Sequence, residues 1–185
     1  MSVDLQSHDM LALSRASLSA LRAALLRDAA EGQAASAFQE AGYAGGDGIF
    51  ATFRDWLAAG GHPAPDALNA AEFGERSAEF FRDAGWGSLE VGVLGDAVIT
   101  LDASNWSEAD PNLGAAHPSC FYSSGMFSDF FSRLGGQPLG AFEVECRSTG
   151  ASRCRFLLGS PETLQHVYGK MVEGLAYEDA IRQSS

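Results

Sequence analysis

Residues 143–156 read Glu-Val-Glu-Cys-Arg-Ser-Thr-Gly-Ala-Ser-Arg-Cys-Arg-Phe, and the second half of the chain is expected to fold around this stretch. The pattern predicts two short strands joined by a turn at Gly150. If the turn is centred on Gly150, Cys146 lies directly opposite Cys154 in an antiparallel pair. Opposed residues in such a pair have Cβ atoms about 4.5–5.5 Å apart. We therefore expect the two thiols to lie side by side on one face of a hairpin.

The two faces of this hairpin are expected to differ in polarity, because side chains alternate between the faces of a strand. On the face that carries the thiols, the alternation places Phe142, Val144, Phe156 and Leu158. This face would point into an apolar interior. On the opposite face Glu145 is expected to pair with Arg155, which gives both charges a structural role.

A third cysteine, Cys120, stands where a helix is expected to begin. The helix dipole and the unpaired N–H groups at a helix start favour a thiolate. Three thiolates and one more donor make a closed tetrahedral zinc site, and the candidates for the fourth ligand are Glu143, Glu145 and His117. The spacing C-x25-C-x7-C is not that of a standard zinc finger. From the residues alone, three buried cysteines acting as small apolar side chains are an equally good explanation.

Helical periodicity and turn residues predict the rest of the secondary structure. Predicted helices cover about 9–30, 34–59 with a glycine cluster at 45–48, a third helix capped by Asp66, a fourth that ends at Gly135-Gly136, and a last one opened by Ser160-Pro161. Predicted strands follow Gly85, with a two-residue hairpin turn at Gly95-Asp96, and cover 139–147 and 152–158. The glycine cluster marks either a break or a close helix crossing.

These elements predict an α+β fold with helices packed on an antiparallel sheet. No repeat or linker divides the chain, so we expect one domain over 1–185. Its helical N-terminal part would cover 5–84, and the sheet and metal site would occupy 86–183.

The composition excludes some partners. Twelve Lys and Arg against 24 Asp and Glu give a formal net charge of −12, which argues against binding nucleic acid. No apolar stretch is long enough to span a membrane. Three cysteines cannot all pair within one chain, and no signal peptide is recognisable, so a cytoplasmic protein is expected.

The run Cys120-Phe-Tyr-Ser-Ser-Gly125, followed by the stretch 143–156, resembles the 4-vinyl reductase domain family. This family includes the sensor domains of phenol- and xylene-responsive transcription activators. The similarity is strongest from about Trp106 to Tyr177 and looser over the N-terminal helices. The resemblance implies a fold related to the small vesicle-tethering (TRAPP) subunits. Because these proteins are often dimeric, it also implies a homodimer.

The resemblance also implies a set of metal ligands. In the sensor members a structural zinc is held by three Cys and one Glu, and the matching residues here are Cys120, Glu143, Cys146 and Cys154. In a regular strand Glu143 and Cys146 would lie on opposite faces, so this set requires a bulge between them. If the strand is regular, His117 is the better fourth donor.

An apolar pocket beside the zinc is a further implication of the resemblance. The aromatic residues proposed to contact a small hydrophobic or aromatic ligand are Trp106, Tyr122, Phe127 and Phe130, with the alternative that each belongs to the core. The His and Trp pair that orients phenol in the sensors has no full counterpart here. Phenol specificity is therefore not inherited.

We therefore predict a zinc-stabilised module that binds a small hydrophobic or aromatic molecule. One alternative is a dimeric adaptor of TRAPP-like fold, and another is an accessory factor in tetrapyrrole (bacteriochlorophyll) metabolism. An enzyme is less favoured, because the sequence has no dinucleotide fingerprint and a closed zinc site leaves no open position for chemistry.

Overall fold

Helices and a single sheet make up the described part of the chain, which covers residues 3–4, 8, 10–28 and 30–183 in a computed structural model. The helices are α1 (Arg15–Asp28), α2 (Glu31–Ala59), α3 (Ala70–Asp83), α4 (Phe121–Gly135), α5 (Pro161–Val172) and α6 (Tyr177–Arg182). The strands are β1 (Glu90–Leu94), β2 (Val98–Ala103), β3 (Gly140–Glu145) and β4 (Cys154–Gly159). No helix within these ranges is long and apolar enough to cross a bilayer.

The four strands form one antiparallel sheet in the order β1-β2-β4-β3. The α+β prediction is therefore confirmed. One detail differs, because Leu94 pairs with Val98 and the hairpin loop has three residues, 95–97, rather than two. The strand β3 lies at an edge of the sheet, beside β4.

The glycine cluster lies inside an unbroken helix α2, so it marks a close helix crossing and not a break. A Cβ on Gly42 would clash with the backbone carbonyl of Tyr122, and a Cβ on Gly125 would clash with the carbonyl of Gln39. The missing side chains let the backbones of α2 and α4 come together. This crossing fixes the position of α4, which carries Cys120 at its start.

Two helix boundaries differ from the prediction. Asp66 lies in a short 3-10 turn, and Asn69 caps α3 instead, since its side chain accepts hydrogen bonds from the backbone of Ala71 and Glu72. At the C-terminal end, Gly174 has a positive φ of 98° and separates α5 from the extra helix α6. Positive φ is easy only for glycine, which is why the helix stops there.

The sheet is covered on both faces. On one face it packs against α2, α3 and α4 around a large aromatic core that includes Phe53, Phe81, Trp106, Phe127, Phe130 and Phe156. On the other face α5 and α6 cover a smaller apolar cluster around Leu157 and Val167. The three cysteines belong to the larger core.

A β-bulge in β3 divides the hairpin into two registers. Glu143 pairs with Phe156, whereas Glu145 pairs with Arg155, so Val144 is the extra residue. The expected pairing of Glu145 with Arg155 is therefore confirmed. The expectation that Phe142 and Val144 share the thiol face is wrong, because the bulge turns them towards the α5 side, where they pack with the smaller cluster.

Candidate metal centre and ligand cavities

Four side chains from three separate parts of the chain come together at the start of α4. The Sγ atoms of Cys120, Cys146 and Cys154 and a carboxylate oxygen of Glu143 all lie within 4.8 Å of one another. The Sγ atoms of Cys120 and Cys146 are 3.8 Å apart. All three cysteines are fully buried and none forms a disulfide. This is the donor set expected of a site for a thiophilic metal ion.

Local structure explains how each donor reaches the cluster. Cys120 is the residue at which α4 begins, and Cys154 begins β4. Cys146 follows β3 and precedes a 3-10 turn that ends at Gly150, where φ is 91°. Glu143 reaches the same side of the sheet as Cys146 because the bulge adds one residue between them. The bulge required by the ligand set is therefore present.

Glu143 has one oxygen that is satisfied and one that is not. Its Oε2 accepts hydrogen bonds from the backbone N–H groups of Ser119 and Cys120, both at 2.9 Å. Its Oε1 is buried and has no hydrogen-bond partner among the described residues. A buried carboxylate oxygen without a partner is costly. The orphaned Oε1 beside three thiols is what a metal ion would satisfy.

The electrostatics of the cluster favour a cation. Burial, followed by the charge of the neighbouring Cys146, raises the pKa of Glu143 to about 8. Hydrogen bonds from the Cys120 and Cys154 thiols lower the pKa of Cys146, to which the backbone N–H of Ser148 also donates at 3.4 Å. Burial raises the pKa of Cys120. Negative charge therefore concentrates on Cys146 and is opposed on its neighbours, and a metal ion would relieve that opposition.

The two alternative fourth donors lie elsewhere. His117 is exposed and is not one of the clustered residues. Glu145 is held by Arg153, whose guanidinium donates to both carboxylate oxygens at 2.9 and 3.0 Å. Glu143 is thus the acidic residue that the fold brings to the thiols. Whether the four residues bind metal stays a prediction.

The start of α4 holds a second buried carboxylate, Glu108, which sequence reasoning missed. It accepts hydrogen bonds from the backbone N–H groups of Tyr122 and Ser123 at 3.0 and 2.8 Å, and from the Ser123 hydroxyl. Burial raises its pKa. It acts as a helix cap from a distant loop. No spacing rule connects an acid to a helix that starts 13 residues later.

Buried Arg22 on α1 also escaped prediction. Its guanidinium donates to the Ser119 hydroxyl and, at 3.3 Å, to the carbonyl oxygen of Glu108. Only 5% of the residue is exposed. Its one signal in the sequence is that it interrupts the apolar stretch of the first helix.

The structure places the four aromatic residues of the predicted pocket in two environments. Trp106, Phe127 and Phe130 are fully buried among other rings of the core, and the indole N–H of Trp106 donates to the Ser123 hydroxyl at 2.7 Å. They line neither of the two cavities described below. Tyr122 is half-buried and stacks on Trp86, with ring centroids 5.8 Å apart and an interplanar angle of 11°.

Two cavities adjoin the start of α4. The larger, of about 930 Å³, opens between β3, α2, α4 and α5, and its walls include His117, Phe121 and Glu143. The smaller, of about 230 Å³, lies between the segment 10–18 and the helices α2 and α3. Phe80, Trp86 and Tyr122 line the smaller cavity. Tyr122 is thus the one predicted pocket residue that borders a cavity.

Comparison with known proteins shows what this arrangement resembles. Residues 107–160 match the family model of the 4-vinyl reductase domain. No curated protein sequence is significantly similar to the chain. Among solved structures, the phenol-responsive sensory domain of the transcription activator PoxR, crystallised with phenol, is similar over 95% of this chain and 83% of its own, with 17% identity and a TM-score of 0.64.

Two further structures show related folds. A trafficking protein particle complex subunit 3 from Naegleria fowleri, covalently bound to palmitic acid, covers 78% of this chain and 91% of its own at 10% identity, with a TM-score of 0.58. A vinyl-4-reductase family protein from Methanocaldococcus jannaschii covers 57% and 72% at 19% identity, with a TM-score of 0.41. The resemblance read from the sequence is confirmed: residues 107–160 of this chain form a 4-vinyl reductase domain, within a fold shared with the PoxR sensory domain and the trafficking subunit.

Proposed function

We propose that this protein is a single-domain, zinc-stabilised module that binds a small hydrophobic or aromatic molecule in the smaller cavity. The observation that carries this proposal is the shared position of the two sites at the start of α4. Cys120 of the thiol cluster and Tyr122 of the cavity wall are two residues apart. Fixing the start of this helix therefore fixes a wall of the cavity.

Zinc is the metal best suited to the cluster. Three thiols and one carboxylate are soft or borderline donors, whereas Mg²⁺ and Ca²⁺ prefer oxygen alone. Cys120, Glu143, Cys146 and Cys154 would hold the ion. With four protein ligands the ion would be structural, joining α4 to the hairpin of β3 and β4.

The dimensions and lining of the smaller cavity favour a small ligand. Its volume of about 230 Å³ lies below the usual range of about 300–1,000 Å³ for sites that take drug-sized molecules. Phe80, Trp86 and Tyr122 offer aromatic surface, and Ile49 and Leu18 add aliphatic surface. The likeness to a sensory domain that was crystallised with phenol supports the same ligand class.

Two measurements test the proposal. Metal analysis of the purified protein should find about one zinc per chain. Calorimetric titration with phenol, toluene and indole should show saturable binding of at least one of them, and Ala84→Phe, which places a ring in the smaller cavity, should abolish it. Ala58→Phe, on the exposed side of α2, is the matched control and should bind as the wild type does. Binding that survives Ala84→Phe would place the ligand elsewhere.

A dimeric adaptor is the second candidate, and the surface of α1 favours it. Leu21 and Leu25 lie one turn apart on this helix and are 52% and 40% exposed. Neighbouring apolar residues on a surface helix are typical of protein interfaces. Light scattering should show a dimer that Leu21→Glu converts to a monomer, while Ala23→Glu, at another exposed position of the helix, does not. A monomeric wild type would remove this candidate.

A further inference from the structure

A buried guanidinium links the N-terminal helix to the start of α4. Arg22 donates through one terminal nitrogen to the Ser119 hydroxyl and through the other to the carbonyl oxygen of Glu108. Its Nε is buried and has no hydrogen-bond partner among the described residues. Burying a charged side chain is costly unless its contacts compensate. The position of Arg22 therefore calls for an explanation beyond the packing of α1.

Ser119 is the residue through which Arg22 reaches the thiol cluster. The Ser119 hydroxyl accepts from Arg22, while the backbone N–H of the same residue donates to Glu143 Oε2 at 2.9 Å. The next N–H group, that of Cys120, donates to the same oxygen. Two hydrogen bonds on Oε2 leave Oε1 as the oxygen that lies beside the thiols without a hydrogen-bond partner in the described part of the chain. The orientation of the Glu143 carboxylate thus depends on where the Ser119–Cys120 backbone lies.

Arg22 is also a main attachment of its helix. The side chains of Leu21 and Leu25 are largely exposed, whereas Arg22 is buried. The same helix contributes Arg15 and Leu18 to the wall of the smaller cavity. Loss of the Arg22 contacts would therefore free α1 and open that wall.

We propose that Arg22 is a positioning residue for the metal centre, which couples the docking of helix α1 to the affinity of the centre for metal. It rests on the proposed zinc site. Arg22 fixes Ser119, and Ser119 and Cys120 orient Glu143, the fourth ligand. Outer partners of this kind contribute about 10- to 100-fold to metal affinity in other proteins. Because coupling between two sites is reciprocal, metal binding should in turn stabilise the docked position of α1.

The experiment uses the full chain and two independent measurements. Zinc affinity is measured by competition with a chromophoric chelator for the wild type, Arg22→Ala, Arg22→Lys, Ser119→Ala and the double variant Arg22→Ala/Ser119→Ala. Hydrogen exchange of residues 15–28 is measured with and without zinc in the same proteins. Arg27→Ala is the matched control, because Arg27 lies on the same helix and pairs with the exposed Asp28. Circular dichroism confirms that each variant is folded.

The expected result is zinc affinity about 10-fold weaker in Arg22→Ala and Ser119→Ala, with the wild-type value in Arg27→Ala. The double variant should lose little more than either single one, because both remove the same contact. Zinc should slow exchange in α1 of the wild type but not of Arg22→Ala. Arg22→Lys keeps the charge without the planar fork and should be intermediate.

Two results would overturn the inference in distinguishable ways. If the wild type binds zinc and Arg22→Ala binds it equally well, the coupling is wrong and the metal centre stands. If the wild type binds no zinc, the metal centre itself is wrong, and the coupling falls with it. A variant that is only less stable, with unchanged zinc affinity and unchanged response of α1 to zinc, shows that Arg22 has a purely structural role.

Discussion

Glu143 Oε2 lies 2.9 Å from the backbone nitrogen of Cys120, although 23 residues separate the two in the chain. The hydrogen bond joins the bulged strand β3 to the residue at which α4 begins. It also brings a carboxylate and a thiol-bearing residue of the metal cluster into direct contact through the backbone. The cluster is therefore a junction between the sheet and the helix that crosses it, and its loss should weaken both the metal site and the fold.

Replacement of Cys146 by serine should remove the metal and destabilise the protein. A structural metal contributes its binding free energy to folding, so its loss is costly. We expect zinc content to fall from about one per chain to near zero and the free energy of unfolding to fall by about 3 kcal/mol or more, which is roughly 6–12 °C in Tm for a domain of this size. Metal analysis and thermal unfolding measure the two effects.

The control for this variant is Ser152→Ala, an exposed position in the same hairpin loop. It should change neither quantity. If Cys146→Ser kept its zinc and its Tm, the cysteines would be simple core residues.

The close crossing of α2 and α4 predicts opposite effects for two glycine substitutions. A Cβ at position 125 would lie 2.8 Å from the backbone nitrogen of Tyr43 and clash with the Gln39 carbonyl, so Gly125→Ala should destabilise the protein by about 2–3 kcal/mol or more. A Cβ at position 169, inside α5, would meet nothing within 4 Å. Gly169→Ala should therefore stabilise it by about 0.5–1 kcal/mol. Urea unfolding measures both, and equal effects of the two substitutions would contradict the crossing.

Buried Glu108 predicts a specific pH dependence of stability. Burial raises its pKa in the folded protein above the ordinary value of 4.5, against the opposing hydrogen bonds from Ser123 and Tyr122. Between the two pKa values the folded state holds a proton that the unfolded chain has released. The contribution of Glu108 to the free energy of unfolding therefore falls as pH rises through this window, by up to about 1.4 kcal/mol per pH unit.

Glu108→Gln removes this titration. We expect the difference in free energy of unfolding, wild type minus variant, to decrease as pH rises above 4.5. Urea unfolding of both proteins at a series of pH values measures it, and the other titrating groups cancel in the difference. A difference that is constant or increases with pH would show that Glu108 is not protonated more easily when folded.

Phe130 should act as a core residue rather than as a ligand contact. Its ring is fully buried and lies 5.4 Å from that of Phe53 and 5.2 Å from that of Phe81, centroid to centroid. Phe130→Ala should lower the free energy of unfolding by about 3–5 kcal/mol, whereas Tyr168→Ala, at an exposed position, should change it by less than about 0.5 kcal/mol. Phe130→Leu, which keeps more of the volume, should bind the test aromatics as the wild type does. Lost binding in that folded variant would move the ligand site into the core.

Much of the local structure could be predicted from the sequence, because it depends on neighbouring residues. Gly136 ends α4 with a positive φ of 63°, and Ser160 caps α5 through the backbone N–H of Thr163, as the turn and cap signals indicate. The register at Glu145 and Arg155 followed from the turn at Gly150. The boundary at Asn69 was missed because Asp66 is an equally good cap by residue type.

The bulge at Val144 could not be derived from alternation alone. Alternation assigned Phe142 and Val144 to the thiol face, and one additional residue reversed that assignment while it brought Glu143 and Cys146 to the same side. Whether a strand contains a bulge depends on what its side chains meet across the sheet, which a single strand does not encode. The resemblance to known sensors anticipated the bulge only through the ligand set.

The sequence by itself determined the α+β class, the three cysteines as a group and the family of the domain, since these depend on periodicity, residue type and motif spacing. Only the tertiary structure decided which acid joins the thiols, which aromatic residue borders a cavity and where Arg22 and Glu108 are buried. Those features depend on contacts between segments distant in the chain, such as α1 with the start of α4. Such contacts follow from the packing of the whole core, in which each side chain's place is set by all its neighbours.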